Sequence, residues 1–278
     1  MENLQQEQQL AIKLAIDGGT IVTGALDSAN RDPVSRRWSP TRRTVFKTGI
    51  DVAVDRMVRK KIAHAFPADA ILSEESDFRK GTSGRVWVVD SIDGTLNLQG
   101  PLFGMFGVCV ALAIGNTPVL GIVYSPIMWR VPRGKLWIGE IGKPTLYSSD
   151  YPGFEPAPVR VSDCRIRNHA IGGCDGGKHN RLAAHPYRAK LEHDTQGVTC
   201  VYNIGCASMA LMGVATGEWD FYCATSLEPE DMAAAVPILQ GAEAVVTTLD
   251  GRPWTIKEPS ILTANPLLHG DLLQYLNS

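Results

Sequence analysis

The sequence lacks most of what would place a chain outside the ordinary globular class. Its 278 residues hold 27 basic and 29 acidic side chains, a formal charge of −2. That balance leaves no excess of positive charge for gripping a nucleic-acid polymer or an anionic membrane surface. No apolar run approaches the roughly 18 residues needed to cross a bilayer. The opening residues, Met1-Glu2-Asn3-Leu4-Gln5-Gln6-Glu7, are polar and acidic, unlike a secretory signal. Cysteines stand singly at 109, 164, 174, 200, 206 and 223, with no Cys-x-x-Cys pair, which argues against a zinc ribbon or a dithiol redox motif. They read as small buried residues of a reducing compartment, and a cytoplasmic address is expected. No repeat or low-complexity tract occurs.

What is present fits a soluble protein with a sizeable core: 44% hydrophobic and 20% charged residues. The most informative stretch runs from Val86 to Asn97. Val86-Trp87-Val88-Val89 reads as a buried strand, and it stops abruptly at Asp90. Asp93 follows three positions later, then Gly94 and Thr95. Two carboxylates at the end of a buried strand are costly to desolvate unless something cationic neutralises them. Clustered hard oxygen donors suit Mg²⁺, Mn²⁺ or Ca²⁺ better than zinc. An Asx-rich turn capping a helix explains the same pattern equally well.

Hydrophobic periodicity predicts helices over 3–18 and 51–66, with Asp55 in the second. Residues 24–46, with Arg31, Arg36, Arg37, Arg42 and Arg43, read as a long exposed basic loop that could act as a lid. Ala70-Ile71-Leu72 reads as a strand leading into Ser73-Glu74-Glu75-Ser76. A hairpin is expected over 106–124, turning at Gly115-Asn116, with a further strand at 136–138. The proline-rich stretch 143–158 marks the best internal boundary, dividing the chain into 1–145 and 146–278. Beyond it, expected elements are a strand at 159–161, a glycine-rich turn over 172–181, a helix over 207–216 and a strand over 219–223. A helix opening at Pro229, strands at 244–247 and 260–263, and a helix over 267–276 complete the chain. Strands and helices alternate with hairpins, predicting a layered α/β (α+β) fold.

Together these segments resemble the inositol monophosphatase-like family of metal-dependent phosphatases. Asp90-Ser91-Ile92-Asp93-Gly94-Thr95 is similar to the family's Asp-Pro-Ile-Asp-Gly/Ser-Thr, and Ser73-Glu74-Glu75-Ser76 to its Gly-Glu-Glu-Ser. Glu230-Asp231-Met232-Ala233-Ala234 and Gly241-Ala242-Glu243-Ala244 stand where the family has its C-terminal motifs. The resemblance implies a layered αβαβα sandwich and two or three Mg²⁺ ions, with Mn²⁺ as a substitute. It places Glu74, Asp90 and the Ile92 carbonyl on one ion, and Asp90, Asp93 and Asp231 on a second. Glu74 and Asp55 would help hold a third. Thr95 with Glu74 would activate water, making Glu74, Thr95 and Asp55 the catalytic set. Asp93, Gly94, Thr95, Gly205, Ala207 and Asp231 would line the substrate, with Asp220 and Ser208 nearby. The resemblance also implies a homodimer inhibited by Li⁺.

Several positions depart from the pattern. Ser91 replaces proline, Glu230 replaces tryptophan, and Asp51-Val52 stand where Val-Thr is usual. Ala224 replaces a glutamate that would hydrogen-bond an inositol ring, so myo-inositol phosphate is not expected to be the best substrate. The leading expectation is a phosphomonoesterase for a small sugar, polyol or related metabolite phosphate. A 3′(2′),5′-bisphosphate nucleotidase, with arginines of the 31–43 loop and Lys178, His179 and Arg181 on the second phosphate, and a histidinol-phosphatase are the alternatives in the same chemistry. A catalytically inactive metal- or phosphate-binding relative is the alternative of another class.

Overall fold

The computed structural model describes residues 3–31, 40–98, 104–127, 134–177, 181–193 and 196–278. Two long helices open the chain, α1 (Gln5–Arg31) and α2 (Pro40–Ala65). Each presents an apolar stripe at helical spacing: Ala11, Leu14, Ala15, Val22 and Leu26 on α1, and Ile50, Val54, Val58 and Ile62 on α2, all buried. The expected loop over 24–46 is thus replaced by helix at both ends. Its centre, with Arg36 and Arg37, lies outside the described residues. Helix propensity prevails because the stripe of α1 continues through Val22 and Leu26.

Strands β1 (Ala70–Ser73), β2 (Ser76–Arg79), β3 (Arg85–Asp93), β4 (Gly107–Ile114), β5 (Thr117–Ser125), β6 (Gly134–Glu140), β7 (Leu146–Tyr151) and β8 (Ala157–Pro158) follow. They form one eight-stranded sheet in the order β2-β1-β3-β4-β5-β6-β7-β8. The β4–β5 hairpin turns at Gly115 (φ 58°) and Asn116 (φ 74°), the left-handed pair that matches strand twist. The stretch 143–158 is not an interruption: β7 and β8 lie within it, so the first sheet continues past residue 145 to Pro158.

The second half contains β9 (Ile171–Asp175), α3 (His185–His193), β10 (Cys200–Tyr202), α4 (Ala207–Ala215), β11 (Phe221–Ala224), α5 (Pro229–Met232), α6 (Ala235–Gly241), β12 (Val245–Thr247), β13 (Ile261–Ala264) and α7 (His269–Asn277). Its strands form a five-stranded sheet ordered β10-β9-β11-β13-β12. Residues 159–161 form no strand, and Gly172 and Gly173 belong to β9 rather than to a turn.

Three buried clusters show the layering. One packs α1 and α2 against the first sheet. A second, holding Met209 and Met212 of α4 and Ile238 of α6, fills the space between the sheets. The third packs Leu191 of α3 and Leu272 of α7 on the far face of the second sheet. The order is helix, sheet, helix, sheet, helix, as the αβαβα expectation requires. Close approach in the middle layer needs glycine: a Cβ on Gly139 would lie 2.3 Å from the Ile238 nitrogen.

Candidate active site

Strand alternation aims the central motif. Val88 of β3 packs into the middle layer, while Trp87 and Val89 face α1 and α2. Asp90, two positions after Val88, therefore faces the middle layer. A regular strand would send Asp93 to the opposite face. Instead the register shifts: Asp90 pairs with Cys109 and Asp93 with Gly107, so three steps on β3 match two on β4. This bulge returns Asp93 to the same side as Asp90. Gly94 then turns at φ 82°, where a Cβ would meet Cys206 Cβ and the Met105 carbonyl oxygen at 2.8 Å.

Asp231 arrives from α5. Pro229 starts that helix, and the Asp231 Oδ2 accepts from the Glu228 backbone N–H at 3.0 Å in a capping box. Buried Asp90, Asp93 and Asp231 each offer a carboxylate oxygen, and these atoms lie within 4.8 Å of one another. Side-chain and backbone donors fix them. Asp90 Oδ1 accepts from the Ile92 N–H at 2.9 Å. Asp93 Oδ2 accepts from the Ser208 N–H at 2.5 Å and the Cys206 thiol at 3.2 Å, capping α4.

Three carboxylates so close repel one another by roughly 3–4 kcal/mol per pair at an effective dielectric constant of about 20. The donor set is all oxygen, which suits a hard divalent cation better than zinc or copper. The neighbouring thiols register the same field. Burial, then Asp90 and Asp93, pushes the Cys109 thiol well up; burial, then Asp93, does so for Cys206. Both remain protonated thiols near neutrality, so neither is poised as a nucleophile.

Thr95 is buried, and its hydroxyl lies 2.9 Å from the Ile92 carbonyl oxygen and 3.3 Å from Asp51 Oδ1. The aspartate beside Thr95 is therefore Asp51, which sequence reasoning treated only as a departure. Asp55, one helical turn later on α2, is buried and accepts instead from the Ser76 hydroxyl. The signal for Asp51 was available: an i, i+4 pair on the buried side of one helix. Glu74 is exposed in the turn after β1 and is not one of the three carboxylates whose oxygens lie within 4.8 Å of one another. The parallel register pairs Ser73, the residue before Glu74, with Val89, the residue before Asp90.

A cavity of about 540 Å³ opens at this point. All of the expected substrate-side residues line it: Asp93, Gly94, Thr95, Gly205, Ala207 and Asp231. Thr95–Leu98 forms a 3₁₀ turn directly after Gly94. Asp220 does not line the cavity; it accepts from the Ser162 hydroxyl and the Ile171 N–H, tying down the start of β9. Lys178 and His179 lie outside the described residues. The sequence reading missed His185 and Arg188 of α3, Asp175 of β9 and Asn203, which also line the cavity. Nothing in their local pattern distinguishes them from an ordinary helix face and turn.

The model of the inositol monophosphatase family matches residues 3–278. A fructose-1,6-bisphosphatase/inositol-1-monophosphatase from Thermotoga maritima is 26% identical over 242 residues, 85% of each chain. An inositol-1-monophosphatase from Synechocystis is 28% identical over 238 residues, covering 82% of this chain and 76% of its own. The solved inositol monophosphatase of Anabaena superposes with a TM-score of 0.80 at 26% identity, covering 99% of this chain and 97% of its own.

Proposed function

Because the chain belongs to the inositol monophosphatase family of phosphoric monoester hydrolases, we propose that it is a Mg²⁺-dependent phosphatase acting on a small sugar, polyol or related metabolite phosphate. The observation that carries this reading is the convergence of buried Asp90, Asp93 and Asp231, two of which, Asp93 and Asp231, line one cavity with Thr95.

Asp90, Asp93 and Asp231 would hold the divalent cation, with the Ile92 carbonyl as a further oxygen donor; Mn²⁺ satisfies the same donors. Bound there, such ions lower the pKa of water and stabilise charge on the phosphoryl and departing oxygens. The protein's own part is positioning. Thr95 has one hydroxyl proton and two acceptors within reach, Asp51 and the Ile92 carbonyl. When it donates to Asp51, its oxygen is left to accept from a water in the cavity that Thr95 lines, which would orient that water and pass its proton towards the carboxylate. Glu74 and Asp55 are proposed as support for a third, weaker ion. A homodimer, inhibition by Li⁺ and a cytoplasmic address are proposed on family membership alone. Among the described residues no helix is long and apolar enough to cross a membrane.

The test is phosphate release from a panel of sugar, polyol, histidinol and nucleotide phosphates, with and without Mg²⁺. Turnover that requires the metal is expected; none on any ester, with the metal bound, points to the inactive relative and overturns the proposal.

A further inference from the structure

The turn that carries Glu74 is gripped from α2, and this step rests on the phosphatase reading above, in which Glu74 helps hold a divalent cation. Ser73 closes β1, Ser76 opens β2, and the two pair across the antiparallel register. Glu74 and Glu75 are therefore the whole turn. Two-residue hairpins favour Asn or Gly, whose left-handed backbone matches the twist of the strands. Glu74 and Glu75 are neither, and neither takes a positive φ. They also place two like charges side by side. The turn's own sequence does little to fix Glu74, so its position depends on what holds the strand ends.

A single turn of α2 holds them. Asp55, buried, and Arg59, half-buried, are i, i+4 neighbours on one side of the helix. The Ser76 hydroxyl donates to Asp55 Oδ2. Arg59 donates from Nη1 to Ser73 Oγ and from Nη2 to the Asp77 carbonyl oxygen, each at 2.9 Å. All three hydrogen bonds are charge-assisted, and they fall on both sides of Glu74. Ser73 stands where the family has glycine, so the hydroxyl that Arg59 engages is this chain's own. Asp51, one turn before Asp55 on the same side of the helix, lies 3.3 Å from the Thr95 hydroxyl. One helix thus sets the Glu74 turn and Thr95 relative to each other.

A tie between a helix and a hairpin is ordinary, and charge alone makes the opposite forecast. Arg59 is a cation beside Glu74, so if it acted only through its charge, removing it would strengthen cation binding. If it holds Glu74 in place, removing it weakens that binding. We propose that Asp55 and Arg59 are positioning residues for Glu74, and that through the Glu74 turn they set the affinity for the divalent cation without touching it.

The experiment titrates Mn²⁺ into the full chain and reads the free ion by electron paramagnetic resonance. We expect Arg59→Met to weaken at least one Mn²⁺ site by about tenfold, the scale on which partners of metal ligands act. Glu74→Gln should weaken the same site. Combining Glu74→Gln with Arg59→Met should cost no more than Glu74→Gln alone, because Arg59 acts through Glu74. Asp55→Asn keeps an oxygen for the Ser76 hydroxyl and should shift each site by less than about threefold. Arg59→Lys keeps the charge but not the fork of two donors. It should weaken binding in the same direction, and it takes the place of Arg59→Met if that variant does not fold. In turnover, the Mg²⁺ concentration for half-maximal rate should rise with Arg59→Met while kcat at saturating Mg²⁺ holds. Unchanged or tighter Mn²⁺ binding in Arg59→Met, additive losses in the double variant, or a loss in Asp55→Asn as large as in Glu74→Gln overturns the proposal. If wild type hydrolyses no ester, the phosphatase reading fails, and the Mn²⁺ titrations still decide the positioning role. A wild type that binds no Mn²⁺ overturns both.

Discussion

Single atoms decide two predictions. Asp231 serves both as N3 of its helix cap and as a member of the carboxylate group. Asp231→Asn preserves an oxygen for the Glu228 N–H but removes one negative charge from the cluster. Without metal, that relieves repulsion, so the metal-free melting temperature should hold or rise. With Mg²⁺ added, the usual upward shift should shrink, and hydrolysis should fall by at least about 100-fold. Wild-type kinetics at limiting Mg²⁺ would remove Asp231 from the ligand set. Thr95→Val tests the hydroxyl with little change of volume. Its loss should cost about 10²–10⁴ in the chemical step, seen in single-turnover kinetics, while far-ultraviolet dichroism stays the same. Asp51→Asn should reproduce part of that loss, and Asp55→Asn much less, since Asp55 bonds Ser76 rather than Thr95.

At the scale of elements, β3 shows where sequence reasoning succeeds and where it stops. The run Val86–Val89 announces a buried strand, and Asp90 and Asp93 announce a site at its end. The three-residue spacing does not announce the bulge that puts both on one face, because a bulge is decided by pairing with β4. The i, i+4 spacing of Asp51 and Asp55 marks both as members of one helix face, but only the packing of α2 against the turn at Thr95 shows which of the two reaches the site. The arginine-rich segment misled because charge and proline outweighed an apolar stripe that continues through Leu26. Gly94 is where the element has least freedom. Gly94→Ala must bear a left-handed backbone at φ 82° and contacts of 2.8 Å with Cys206 Cβ and the Met105 oxygen. It should lower the urea-unfolding free energy by about 1–3 kcal/mol and shift Asp93 enough to depress turnover. An unchanged urea midpoint would show that the turn relaxes freely.

Across the whole molecule, the cavity sits where the two sheets meet across the middle helices. Asp93 comes from the first sheet, Asp175 from the second, and Asp231 from the layer between. Such a join buries titratable groups as well as apolar ones. Burial, then Asp175, pushes the Tyr222 phenol well up. A hydrogen bond with Cys174, then burial, does the same for the Cys223 thiol. Burial, then Glu218, raises Tyr147 from 10.0 to about 12. The folded chain thus keeps protons that the unfolded chain releases. Above the ordinary thiol value of 9.0 the unfolded state holds fewer protons than the folded state, so unfolding becomes more favourable as pH rises. The stabilisation is complete below that value and drains away through the thiol and phenol range, towards about 12 for Tyr147. Urea midpoints should therefore be flat from neutrality to about pH 9 and fall steadily above it, and Tyr147→Phe should blunt the fall above pH 10. A midpoint that stays constant to pH 11 would mean that these side chains reach water in the native state, and that the seam between the sheets is open rather than packed.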